Sequence, residues 1–111
     1  MSKSIIQKRK ECYICRAFAN LNNYGGDLAS IGLEKHHIIF GFSSKNRDNS
    51  EKYGLWVWLC PLHHRIDDIS PHKSMITNIA MRRIAQKAFE QEHTHAEWMH
   101  MFGRNYLDDG E

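Results

Sequence analysis

The sequence predicts a small α+β domain, and three observations predict it. Two short runs, 35–40 and 55–59, are rich in β-branched and aromatic residues. The last third carries apolar residues at three- and four-residue spacing, as one face of a helix requires. The three cysteines fall into two half-motifs of equal spacing, Cys12-x-x-Cys15 and Cys60-x-x-His63, each able to face one metal ion from a single turn.

The chain has 111 residues, 41% apolar and 25% charged, which fits one globular domain. The longest apolar run, Leu55 to Cys60, is far short of the roughly 18 residues of a membrane span. No membrane partner is therefore expected. Residues 1–10 are basic and lack the layout of a secretory signal. A reducing, cytoplasmic setting is expected, where thiols persist as thiols or metal ligands. An odd cysteine count excludes full internal disulfide pairing. The net charge of +2 permits contact with nucleic acid without arguing for it.

In chain order, residues 1–11 read as a basic, partly flexible arm, set against an acidic end at Asp108, Asp109 and Glu111. Residues 12–111 read as a single domain. Cys12 to Cys15 is a tight two-cysteine turn, and 20–32, rich in Asn and Gly, is loop with one helical turn at most. Residues 35–40 form the first strand, 41–54 a long polar connection, and 55–59 the second strand. Alternation puts Leu55, Val57 and Leu59 on one face. Trp56 and Trp58 fall on the other, where they are expected to pack beneath the long helix. Pro61 suits the first turn of a short helix. Ser70-Pro71 opens a helical extension over about 71–102, with Ile76, Ile79, Ala80, Ile84, Ala88 and Phe89 as its core stripe. Thr94-His95-Ala96-Glu97 has the capping-box form, and Gly103 ends the second helix.

Zinc takes four S or N ligands in a tetrahedron. Cys12, Cys15, Cys60 and His63 supply that set, with His64 the alternative fourth ligand. One pair on a turn and one at a helix start is the ligand layout of a treble clef. Closing 44 intervening residues with one structural zinc would staple a domain whose core is thin.

The imidazoles left over form a second group. His36 and His37 are strand neighbours and point to opposite faces. His64 points roughly 100° away from His63 around the helix, towards the hairpin. Asp68 or His72 could complete a site for a divalent metal with open positions. Such a metal stabilises the leaving alkoxide of a phosphodiester, while a neutral histidine takes the proton of the attacking water and Arg or Lys holds the phosphate. Arg65 stands beside His64 for that purpose.

Cys12-x-x-Cys15, His36-His37-Ile38 and Leu59-Cys60-x-x-His63-His64 together resemble an HNH nuclease of the ββα-metal, treble-clef kind, over residues 12 to about 72. Within it, 34–38, 51–55 and 102–106 are most similar to bacteriophage recombination proteins related to the RecA-dependent nuclease Ref. The resemblance implies a DNA endonuclease acting in phage recombination or DNA processing, in a bacterial host's cytoplasm, with DNA and a RecA–DNA filament as partners. It implies His36, His64 and His72 as ligands of a catalytic Mg²⁺, Mn²⁺ or Zn²⁺, with Asp68 the less favoured third ligand, and His37 as general base. The middle Asn of the family motif, which orients that base, is absent: Tyr53-Gly54-Leu55 stands in its place, with Asn46 and Asn49 nearby in the connection. The alternatives are a non-catalytic zinc module that binds DNA or protein, and a module that binds only a protein partner. His93, His95 and His100 are read as surface or packing residues. Lys8, Arg9, Lys10, Lys45, Arg47 and Lys52 could track a phosphate backbone.

Overall fold

The computed structural model describes residues 3–41 and 44–107. The acidic residues Asp108, Asp109 and Glu111 lie outside them. The element order is α1 (Tyr13–Leu21), β1 (Glu34–His37), α2 (Ser44–Lys52), β2 (Trp56–Leu59), a short π-helix (Leu62–Ile66), α3 (Met75–Phe89) and α4 (His95–Phe102). The domain is small α+β, and the described residues form one two-stranded antiparallel sheet. None of the described helices is long and apolar enough to cross a membrane.

The register pairs Glu34 with Leu59, Lys35 with Trp58, His36 with Val57 and His37 with Trp56. Alternation then sends His36, Val57 and Leu59 inward and Lys35, His37 and both Trp outward. Ile38, Ile39, Leu55, Val57 and Leu59 form the hairpin's share of the core, closed by Met81, Ala85, Phe89 and Trp98.

Two helices replace expected irregular chain. The two-cysteine turn is the start of α1, with Cys12 as its N-cap: the Cys12 thiol accepts from the Cys15 amide. Arg16 of that helix pairs with buried Glu11 at 2.7 Å and donates to the Gly26 and Tyr24 carbonyls, tying down the following loop. The polar connection contains α2, which has no apolar stripe to announce it. Tertiary bonds hold it instead: the Ser50 hydroxyl, fully buried, donates to the Ile39 carbonyl and accepts from the Ile39 amide.

The arm is packed rather than loose. It lies along β2, with Ile5 N–H donating to Gly54 O (2.9 Å), Ser4 Oγ to Trp56 O (2.6 Å) and Trp58 N–H to Gln7 Oε1 (2.8 Å). Covering an exposed strand edge in this way removes a site for unwanted pairing. Trp56 and Trp58 accordingly lie against this arm and not beneath the long helix: Lys35 sits over the Trp56 ring and Lys10 over the Trp58 ring.

The long helix begins at Ser74, whose hydroxyl caps Thr77 N–H, four residues later than Ser70-Pro71 suggested. Its buried face is Met81, Ala85, Gln86 and Phe89, while Ile76 is 85% exposed and Ile84 38%. The rotation follows from the chain after α4, which folds back on α3. Arg82 donates to the Tyr106 hydroxyl, Arg83 to the Tyr106 carbonyl, and buried Gln86 bonds both Asn105 and the Tyr106 amide. Those polar partners select the face that turns inward. The capping box at Thr94 and the left-handed Gly103 terminus of α4 stand as expected.

Candidate metal centres

Helix α1 presents Cys12 and Cys15, and the exit of β2 into the π-helix presents Cys60 and His63. Their ligand atoms converge. Cys15 Sγ lies 3.9 Å from Cys60 Sγ, and His63 Nδ1 lies 3.6, 3.3 and 3.4 Å from the sulfurs of Cys12, Cys15 and Cys60. A tetrahedral zinc, with Zn–S near 2.3 Å and Zn–N near 2.05 Å, has S···S edges of about 3.8 Å and S···N edges of about 3.6 Å. These four separations lie close to those edges, so the cluster could hold zinc, with the imidazole that of His63 and not His64. All three cysteines are free thiols. Burial, followed by the neighbouring Cys12, pushes the Cys15 thiol up to about 12. Crowded thiols of this kind deprotonate readily only beside a cation.

His36, His64 and His72 form a second cluster that could hold a metal ion. The ring centroids are 4.9–5.2 Å apart. The Nε2 atoms of His64 and His72 are 3.2 Å apart; with metal–nitrogen bonds of about 2.1 Å, that spacing corresponds to an angle of about 100° at the metal. Asp68 belongs to neither cluster. Burial, then the adjacent His72 and His64, pushes His36 down to about 3, and burial likewise lowers His72. Both are neutral at pH 7, the state that donates a lone pair to a cation.

Glu34, two residues before His36 on the same strand face, accepts from His64 Nδ1 at 2.7 Å. A hydrogen bond on one imidazole nitrogen leaves the other for the metal and fixes the ring. Arg65 is committed to this carboxylate, at 3.0 Å to Oε1 and 2.7 Å to Oε2. The Arg65 and His64 hydrogen bonds hold Glu34 down at about 2. Arg65 thus positions Glu34 rather than facing the cluster as a spare cation.

His37 points to the other face of the strand, where its Nε2 lies 2.7 Å from Glu51 Oε1 of α2. Lys35 Nζ reaches the same carboxylate at 3.1 Å. His37, Lys35 and Arg47 share with the three imidazoles a cleft of about 220 Å³. Lys45, Arg47 and Lys52 ride the exposed side of α2. His93 stacks on Phe89, His95 pairs with Glu90, and His100 is exposed.

Sequence reasoning missed the roles of Glu34 and Glu51. For Glu34 a signal exists, since i and i+2 share a strand face. For Glu51 none does, because its approach to His37 depends on a helix that periodicity does not reveal. No family model, curated protein or solved structure matches this chain.

Proposed function

We propose that the chain is a treble-clef, HNH-like endonuclease that hydrolyses DNA phosphodiester bonds with a divalent metal. The observation that carries this reading is the convergence of His36, His64 and His72 on one cleft that also contains His37. The Cys3His cluster is the staple that brings strand and helix together. The sequence resemblance supplies the expectation of DNA as substrate, and its narrower form that of phage recombination beside a RecA filament.

A divalent ion held by His36, His64 and His72 would withdraw charge from a phosphate oxygen and stabilise the leaving alkoxide. Three imidazoles without a carboxylate among the ligands favour Mn²⁺ or Zn²⁺ over Mg²⁺. The chain's own groups do the rest. With its Nε2–H donated to Glu51, His37 carries its lone pair on Nδ1, and that atom takes the proton as water attacks phosphorus. Glu51 fills the orienting role left open by the missing Asn. It holds the tautomer and offsets the imidazolium charge, as a buried carboxylate does for a base histidine elsewhere. Arg47 offers its guanidinium to the phosphate. Glu34, locked by Arg65, keeps His64 aimed at the cluster.

The test is supercoiled plasmid with zinc-loaded protein and added Mg²⁺, Mn²⁺, Co²⁺ or Ni²⁺. Relaxation or linearisation is expected with the transition ions, and His37→Ala should abolish it while zinc content and circular dichroism stay unchanged. Equal behaviour of wild type and His37→Ala with every ion, on naked DNA and on RecA-coated strands, would refute catalysis. A gel shift without cutting would leave the zinc-stabilised DNA-binding module.

A further inference from the structure

The face of the hairpin opposite the imidazole cluster carries a larger cleft, of about 570 Å³, between the N-terminal arm and β2. This is within the range of small-ligand sites. Its floor is Trp56 and Trp58, with ring centroids 5.3 Å apart and planes at 83°. Its rim is Lys3, Lys8, Arg9 and Lys10, with Lys35 at the far side, and among the described residues no carboxylate lines it. Arg9 has an exposed partner in Asp27 at 3.4 Å, and Lys35 has Glu51. Among the described residues, Lys3, Lys8 and Lys10 have no ion-pair partner. The arm that forms the rim is bonded along β2, so the cleft is built rather than a gap beside a loose tail.

We propose that this cleft binds single-stranded nucleic acid, with a base on Trp58 and flanking phosphates on the lysines of the arm. The half-buried Trp58 ring has the Lys10 ammonium over it, 4.8 Å from its centroid. A base can take that position while Lys10 swings to a phosphate, which exchanges a cation–π contact for a stack plus an ion pair. An acidic peptide would use the cations and leave the indoles idle. A duplex offers only base edges, since its π faces are already stacked. Lys35 lines both this cleft and the imidazole cleft. A strand anchored on Trp58 therefore leads past Lys35 to His37. That last link rests on the nuclease reading; the binding does not.

The experiment is a fluorescence-anisotropy titration of zinc-loaded full chain, without added second metal, using labelled dT12, U12 and a 12-base-pair duplex. Single strands are expected to bind tighter than duplex, and the comparison of dT12 with U12 tells DNA from RNA. Trp58→Ala should weaken dT12 binding about tenfold, in line with the worth of one base–aromatic stack, while Trp58→Phe retains it. Lys8→Glu with Lys10→Glu should lower the salt slope by about 1.4, the loss of two phosphate contacts on a single strand. Wild-type affinity in both the Trp58→Ala and the double-lysine variants would overturn the proposal. So would preferential duplex binding, or displacement by polyglutamate as effective as by dT12. Plasmid cutting keeps the two readings apart. If His37→Ala still cuts while Trp58→Ala loses dT12, the cleft stands and the nuclease reading falls. If His37→Ala is dead while Trp58→Ala binds as wild type, the reverse holds.

Discussion

Stripping zinc from the proposed Cys3His site should cost the domain a large share of its stability. An ion held there would join α1 to the exit of β2 and close a loop of 44 residues between Cys15 and Cys60. The chain-entropy relation for a cross-link closing that length gives about 4 kcal/mol. A domain of this size has roughly 5–15 kcal/mol in total. Loss of the staple should therefore lower the melting temperature by about 15–30 °C, at about 4–8 °C per kcal/mol. The assay is thermal unfolding by circular dichroism with and without a zinc chelator, alongside metal analysis. Cys15→Ser and His63→Ala should both lose the ion and melt like the chelated protein. His64→Ala should keep one zinc per chain, because His63 Nδ1 and not His64 lies 3.3–3.6 Å from the three sulfurs. Chelated protein melting within about 3 °C of the loaded form would refute the staple argument, as would zinc retention in His63→Ala with loss in His64→Ala.

Three further outcomes are expected. Glu34→Ala should weaken binding of a second transition ion about 10–100-fold by calorimetric titration, with the zinc of the thiol cluster unchanged, because His64 loses its 2.7 Å partner. Stability of protein carrying only the structural zinc should fall as pH drops below 6.5. His36 in the fold protonates only near 3, so the unfolded chain takes the proton first; the stabilisation is complete above pH 6.5 and is lost towards pH 3, by up to about 5 kcal/mol. Urea titrations from pH 8 to 4 check this, and His36→Leu should have a shallower slope. Gly54→Ala should cost about 1–3 kcal/mol in the same titrations, since Gly54 has φ +73° and an added Cβ would run into the Lys3 carbonyl oxygen; a neutral result would contradict both the left-handed turn and the packing of the arm against it.

Local patterns were legible where a few adjacent residues carry the whole signal. The Cys-x-x-Cys and Cys-x-x-His spacings, the alternation of Leu55, Val57 and Leu59, and the Thr94 capping box all state their geometry within one turn or strand. What failed was information held in distant partners. Helix α2 is polar on every side and exists because Ser50 and Glu51 find Ile39, Lys35 and His37. The inward face of α3 is selected by Tyr106 and Asn105, some twenty residues on. The two Trp face the arm, not the long helix, because Ser4 and Gln7 bond the free edge of β2.

By itself, the sequence determined that this is a small α+β chain with paired Cys and His side chains that could hold one metal ion, since ligand spacing within a turn is a local constraint. Only the tertiary structure decided that His63 and not His64 joins the thiols, that His36, His64 and His72 meet, and that Glu34 and Glu51 hold the rings. Those contacts close loops of 8 to 51 residues. Which partner wins across such separations depends on how the whole core packs, and no short window of residues contains that.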